Sequence, residues 1–131
     1  MEEIEVETGP VAFTSAGIKK PALGVEGKFS LWFLSALALA EGDVRLDKFT
    51  DEKVNDPVIE GLRQKVNAEL VRELKLGARV KVSLQDGTAI QKARTSPKGS
   101  PENPLTFQET EKKFRDTARL FLSERGSEAL I

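Results

Sequence analysis

The chain has 131 residues and a formal net charge of −1, and it contains no histidine, cysteine or tyrosine. Within these residues that excludes a Cys/His zinc site, a thiol nucleophile, a Ser-His-Asp triad and an imidazole base. The near-neutral charge gives no general pull toward nucleic acid or an anionic membrane, and the lack of cysteine fits a cytoplasmic protein without disulfides.

Hydrophobic residues make up 39% and charged residues 31%, as expected for one soluble globular domain spanning 1–131. The acidic start, Met1 to Glu5, has no apolar core of the signal-peptide kind. Residues 3–7 alternate Ile4 and Val6 with Glu3, Glu5 and Glu7, which predicts a half-buried strand. Residues 8–27 carry four glycines and two prolines and read as an extended connection. The most apolar run, Phe29 to Ala40, is 12 residues long. That is short of the ~20 needed to cross a bilayer. It predicts a helix over 28–40, stopped near Gly42 and buried on most faces, either in the middle of the protein or against another chain.

Leu46 and Phe49 suit a short helical turn, and Asp56-Pro57 is a helix start, with Asp as cap and Pro in the first turn. Ile59, Leu62 and Val66 follow at helical spacing. Residues 68–75 read as a second strand. Val80, Val82 and Leu84 alternate with Arg79, Lys81 and Ser83 and read as a third strand. Asp86-Gly87 predicts a two-residue type I′ hairpin, with residues 88–95 returning. Residues 96–105 form a Pro/Gly/Asn loop. Thr106 and Glu109 then make a capping box for a helix that carries Phe107, Phe114, Ala118 and Phe121 on one stripe and ends at Gly126. Partly segregated strands and helices with an antiparallel hairpin predict an α+β two-layer sandwich: a mainly antiparallel sheet of about four strands packed against helices.

Three constellations could carry chemistry. Lys28 at the start of the apolar helix could bind a carboxylate or phosphate beside free backbone N–H groups. Alternatively it could pair with Glu26 or extend to solvent, and general physics favours that simpler arrangement. The loop Lys98-Gly99-Ser100-Pro101-Glu102-Asn103-Pro104-Leu105 is stiffened by its prolines and displays polar groups. It could be a binding loop or an ordered connection. A two-residue turn would also place Lys81 opposite Lys92 and Arg79 opposite Arg94. Like charges so placed need acids nearby, either Glu3, Glu5 and Glu7 of the first strand or an acidic partner. The first strand is therefore expected to join the hairpin's sheet. No phosphate loop, dinucleotide fingerprint or metal-ligand spacing occurs.

Several segments together resemble the C-terminal part of the MmgE/PrpD family. They are Gly27-Lys28-Phe29-Ser30-Leu31, Asp43 to Phe49, Phe49-Thr50-Asp51-Glu52, Asp56-Pro57, the Asp86-Gly87 hairpin, Lys98 to Thr106 and Lys113-Phe114-Arg115. The family includes 2-methylcitrate dehydratase, cis-aconitate decarboxylase and iminodisuccinate epimerase. The resemblance implies the small α/β domain of a lyase whose active site lies in a cleft against a large helical domain. It also implies proton abstraction next to a carboxylate of a di- or tricarboxylate, without metal or organic cofactor. The family's catalytic histidines and lysines are expected in parts that this chain does not contain: it starts after the loop that carries some of them and stops short of the usual C-terminal end. The expected partner is a helical MmgE/PrpD N-terminal domain or separate subunit, and homo-oligomerisation is a further expectation. Lys28, Ser30, Lys98 and Asn103 match motif positions. The resemblance assigns them no catalytic role, only contact with a substrate carboxylate or with the other domain. A stand-alone binding or regulatory domain that kept the fold is the alternative reading.

Overall fold

A computed structural model describes residues 2–131. Among them are four strands, β1 (Glu3–Thr8), β2 (Val66–Leu70), β3 (Ala78–Ser83) and β4 (Ala89–Arg94), in the sheet order β2-β1-β3-β4. The seven helices are α1 (Pro10–Ser15), α2 (Gly24–Gly27), α3 (Leu31–Glu41), α4 (Asp51–Val54), α5 (Pro57–Arg63), α6 (Phe107–Ala118) and α7 (Glu124–Ala129). The fold is α+β, as the element pattern predicts. The sheet is mixed: β1 pairs parallel with β2 and antiparallel with β3, and β3 pairs antiparallel with β4.

The period-2 pattern of β1 does what it predicts. Ile4 and Val6 are buried on one face, and Glu5 and Glu7 stand on the other. There Glu5 lies opposite Lys81 and Glu7 opposite Arg79, with ion pairs of 2.9 and 2.6 Å. The first strand thus joins the hairpin's sheet and supplies the acids its cations need.

The all-round apolarity of α3 has a direct cause, because the helix is packed on two sides. Trp32 joins Ile4, Val6, Val66 and Val82 against the sheet, while Phe33, Ala36 and Leu37 meet Val54 of α4 and Ile59 of α5. The helix therefore lies in the middle of the protein. It begins at Leu31, three residues later than the composition suggests, because the Ser30 hydroxyl accepts the Phe33 N–H at 3.0 Å as its cap. It ends at Gly42, whose φ of 77° is the left-handed cap conformation. Asp56 caps α5 by accepting the N–H groups of Val58 and Ile59.

Four expectations are corrected. The connection 8–27 contains the short helices α1 and α2 rather than extended chain alone, with Phe13 of α1 set edge-on to Trp32 at 6.3 Å. The second strand starts at Val66 and stops at Leu70, and a 3₁₀ turn, Arg72–Leu74, replaces its expected end. The C-terminal helix stops at Ala118, and Gly126 lies inside α7 rather than ending α6. The hairpin loop is three residues long, Gln85 to Gly87: Leu84 pairs with Thr88, and of the loop residues only Gly87 has positive φ. A type I′ turn needs positive φ at two positions, whereas a three-residue loop needs only one, at its final glycine. The longer loop moves the register by one residue. Lys81 then faces Gln91 and Arg79 faces Ala93, so neither like-charge pair forms.

Candidate functional site

The four motif residues fall in two places. Lys28 and Ser30 belong to the segment that runs from α2 into α3. Gly24 sits so close to the next segment that a Cβ there would lie 2.4 Å from the Phe49 carbonyl oxygen, and its N–H donates to Asp51 Oδ1 at 2.7 Å. A Cβ on Gly27 would meet the Phe33 ring at 2.8 Å. Small residues here let two of the motif-bearing segments, 24–30 and 43–56, lock together. Lys28 is exposed, and its ammonium lies 5.8 Å from the centroid of the Phe49 ring, which itself packs on Phe33 at 6.2 Å. Ser30 is fully buried; its hydroxyl caps α3, and its backbone bridges to Gly17.

The same segments hold a charged network. Lys48 pairs with Asp43 and, at 2.8 Å, with Glu41, which Lys53 also reaches at 2.6 Å. The Lys48 ammonium holds the Glu41 and Asp43 carboxyls below their ordinary range, and hydrogen bonds to the two carboxylates raise Lys48. Pairing that fixes each side chain this way accounts for the Asp43-to-Phe49 motif as architecture.

Lys98 and Asn103 lie in the loop after β4, which wraps an open concavity of about 790 Å³ lined by Arg94, Lys98, Glu102, Asn103 and Glu109 among others. The loop is tied internally. The Gly99 N–H donates to the Asn103 carbonyl at 2.7 Å, the Ser100 hydroxyl to the Pro97 carbonyl at 2.7 Å, and the Asn103 amide to the Ser96 carbonyl at 3.3 Å. Gly99, at φ 97°, takes a conformation that side chains rarely adopt. Lys98 lies 3.2 Å from Glu109, the partner of Thr106 in the predicted capping box. The Thr106 N–H, followed by Lys98, holds the Glu109 carboxyl below its usual range.

The concavity therefore carries two cations, Arg94 and Lys98, and two carboxylates, Glu102 and Glu109. Such a rim can hold a carboxylate by its cations, while Glu102 and Glu109 weaken its attraction for anions. Arg94 is the residue that sequence reasoning missed. A type I′ register sets it across from Arg79, whereas the observed register opposes it to Ala78 at the mouth of the loop. Lys28 and Ser30 are in the helical layer, so the fold does not bring all four motif residues to one site. Among the described residues, no group of three or more His, Cys, Asp or Glu side chains is placed to hold a metal ion. No helix among them is long and apolar enough to cross a membrane.

A mixed four-stranded sheet with an apolar helix held between it and a second helical pair, followed by a stiff Gly/Pro loop, defines a small α+β domain. The chain belongs to the MmgE/PrpD family: it matches the MmgE/PrpD C-terminal domain over residues 1–131. No curated protein gives a significant match.

Proposed function

We propose that this chain is the small domain or subunit of a cytoplasmic, cofactor-independent MmgE/PrpD-type lyase. It would act on a di- or tricarboxylate of the 2-methylcitrate kind and complete the active site together with a helical partner. One observation carries the reading. A chain that matches the family's C-terminal domain throughout has no imidazole for proton transfer, so its contribution is positioning and carboxylate binding. Arg94 at the end of β4 and Lys98 and Asn103 on the loop, with Lys28 on the α2–α3 segment, are the groups offered to a substrate carboxylate or to the partner. The test mixes the chain with the helical part of such an enzyme and follows dehydration of 2-methylcitrate. Turnover in the mixture and none from either part alone is the expected result. Turnover from this chain alone, or failure of the parts to associate, would sink the proposal.

The second reading, a stand-alone binding or regulatory domain, draws on a different observation. The Lys98, Ser100 and Asn103 side chains of the 96–106 loop already have partners inside the chain, as a structural connection would have. Light scattering that reports a stable homodimer with no affinity for the helical part would favour it.

A further inference from the structure

The helical layer is off-centre on the sheet. Both α1 and α3 pack over β2, at one edge, and the layer does not extend over β4, at the other. All six residues of β4 are exposed. Its register gives one consequence that the polar outer face does not share. Ile90 stands opposite Val82, Lys92 opposite Val80 and Arg94 opposite Ala78, so these three side chains rise on the face that elsewhere carries the core. Ile90 is 58% exposed there. Among the described residues, no carboxylate pairs with Lys92 or Arg94, and the one hydrogen bond of the Arg94 guanidinium goes to the Ala93 carbonyl, at 3.3 Å. The contrast with the outer face is sharp, since Arg79 and Lys81 there are each matched to a glutamate.

Trp32 of α3 packs on Ile4 and Val6 of β1, on Val66 of β2 and on Val82 of β3, so α3 is centred on β1. Strand β4, two strand spacings away, lies roughly 10 Å from it, about the distance between packed helices. The inner face of β4 thus has room for one helix beside α3, an apolar contact at Ile90, and two cations, Lys92 and Arg94, that have no ion-pair partner among the described residues. We infer that the uncovered inner face of β4 is a docking surface for one amphipathic helix of the helical partner. That helix lays an apolar stripe on Ile90 and places carboxylates against Lys92 and Arg94. The inference rests on the proposed partnership, and it names the face by which the two parts meet.

Binding of this chain to the separately expressed helical domain of an MmgE/PrpD enzyme, by calorimetry at low and high salt, tests it. Ile90→Asp and the double variant Lys92→Glu/Arg94→Glu should each weaken binding roughly tenfold or more, and the wild-type affinity should fall with salt. Gln91→Glu, on the opposite face of the same strand, should leave it within about twofold. Since all four positions are exposed, unchanged circular dichroism and melting should accompany every variant. Wild-type binding that the inner-face variants leave intact overturns the docking face while the partnership stands. No wild-type binding overturns both. A wild-type homodimer that Ile90→Asp dissociates makes a second copy the occupant and overturns the inference.

Discussion

Ser30 and Lys28 show how two neighbouring residues of one motif differ in what they do. The Ser30 side chain is fully buried and accepts the Phe33 N–H, so its removal leaves that donor unpaired in the interior. Ser30→Ala should cost about 1–3 kcal/mol of stability, read as a lower urea midpoint at unchanged slope. The Lys28 ammonium rests on the exposed side of Phe49, and Lys28→Ala should cost less than ~1 kcal/mol. If Lys28 serves a substrate or a partner, its variant loses function in the reconstituted enzyme while keeping its melting point. Ser30→Ala should instead lose function only to the extent that it loses fold. Equal stabilities for the two variants would count against this division.

At the level of elements, β1, α3, the start of α5 and the capping box of α6 were legible in the sequence, because each has a local cause: alternation, a continuous apolar run, or a cap at fixed spacing. The hairpin was legible in kind but not in register. Asp86-Gly87 marks a turn, yet whether one or two residues take positive φ depends on how the flanking strands twist together, and dipeptide composition does not carry that. Asp86 here accepts from both the N–H and the hydroxyl of Thr88, at 2.9 and 2.6 Å, which favours the longer loop. The one-residue shift hid Arg94 from the loop site and hid the uncovered inner face of β4. Nuclear Overhauser contacts should link Lys81 with Gln91 and Arg79 with Ala93. Contacts from Lys81 to Lys92 would restore the two-residue loop. Gly87→Ala should destabilise the protein by about 1 kcal/mol, since φ there is 86°. The short helices α1 and α2 were illegible for a different reason: α2 is four residues long, and its close approaches at Gly24 and Gly27 to Phe49 and Phe33 are tertiary.

For the molecule as a whole, composition and electrostatics together set the pH range of stability. Hydrogen bonds from Arg63 hold the Glu60 carboxyl down to about 2, from 4.5 when unpaired. Glu41, Asp43, Glu109, Asp116 and Glu128 are also lowered, mainly by the Lys48, Lys112 and Arg115 side chains and by the Thr106 N–H. A carboxyl whose pKa is depressed by folding stabilises the folded state fully above its unfolded pKa, and that contribution fades as pH falls through the folded value. Stability should therefore decline from pH ~4.5 to ~2, with Glu60 the main contributor because folding lowers its carboxyl furthest. Lys48 and Lys81 are raised by their carboxylate partners, so their contributions are complete below the ordinary lysine range and vanish as pH climbs past it. Between these limbs no side chain titrates with an ordinary pKa, since histidine, cysteine and tyrosine are absent. Urea midpoints measured across pH should trace a plateau from about 5.5 to 9 with a fall on either side. Glu60→Gln should flatten the acid limb, because it removes the carboxyl that contributes most to it, and Glu128→Gln, at a more exposed pair, should barely alter it. An acid limb unchanged by Glu60→Gln would show that the Glu60–Arg63 pair does not govern acid stability, and a slope inside the plateau would show that a further group titrates there. A lyase assembled from this chain and a histidine-bearing partner should lose that flatness in its activity while this chain keeps it in its stability. The difference between the two profiles would then report the partner's groups alone.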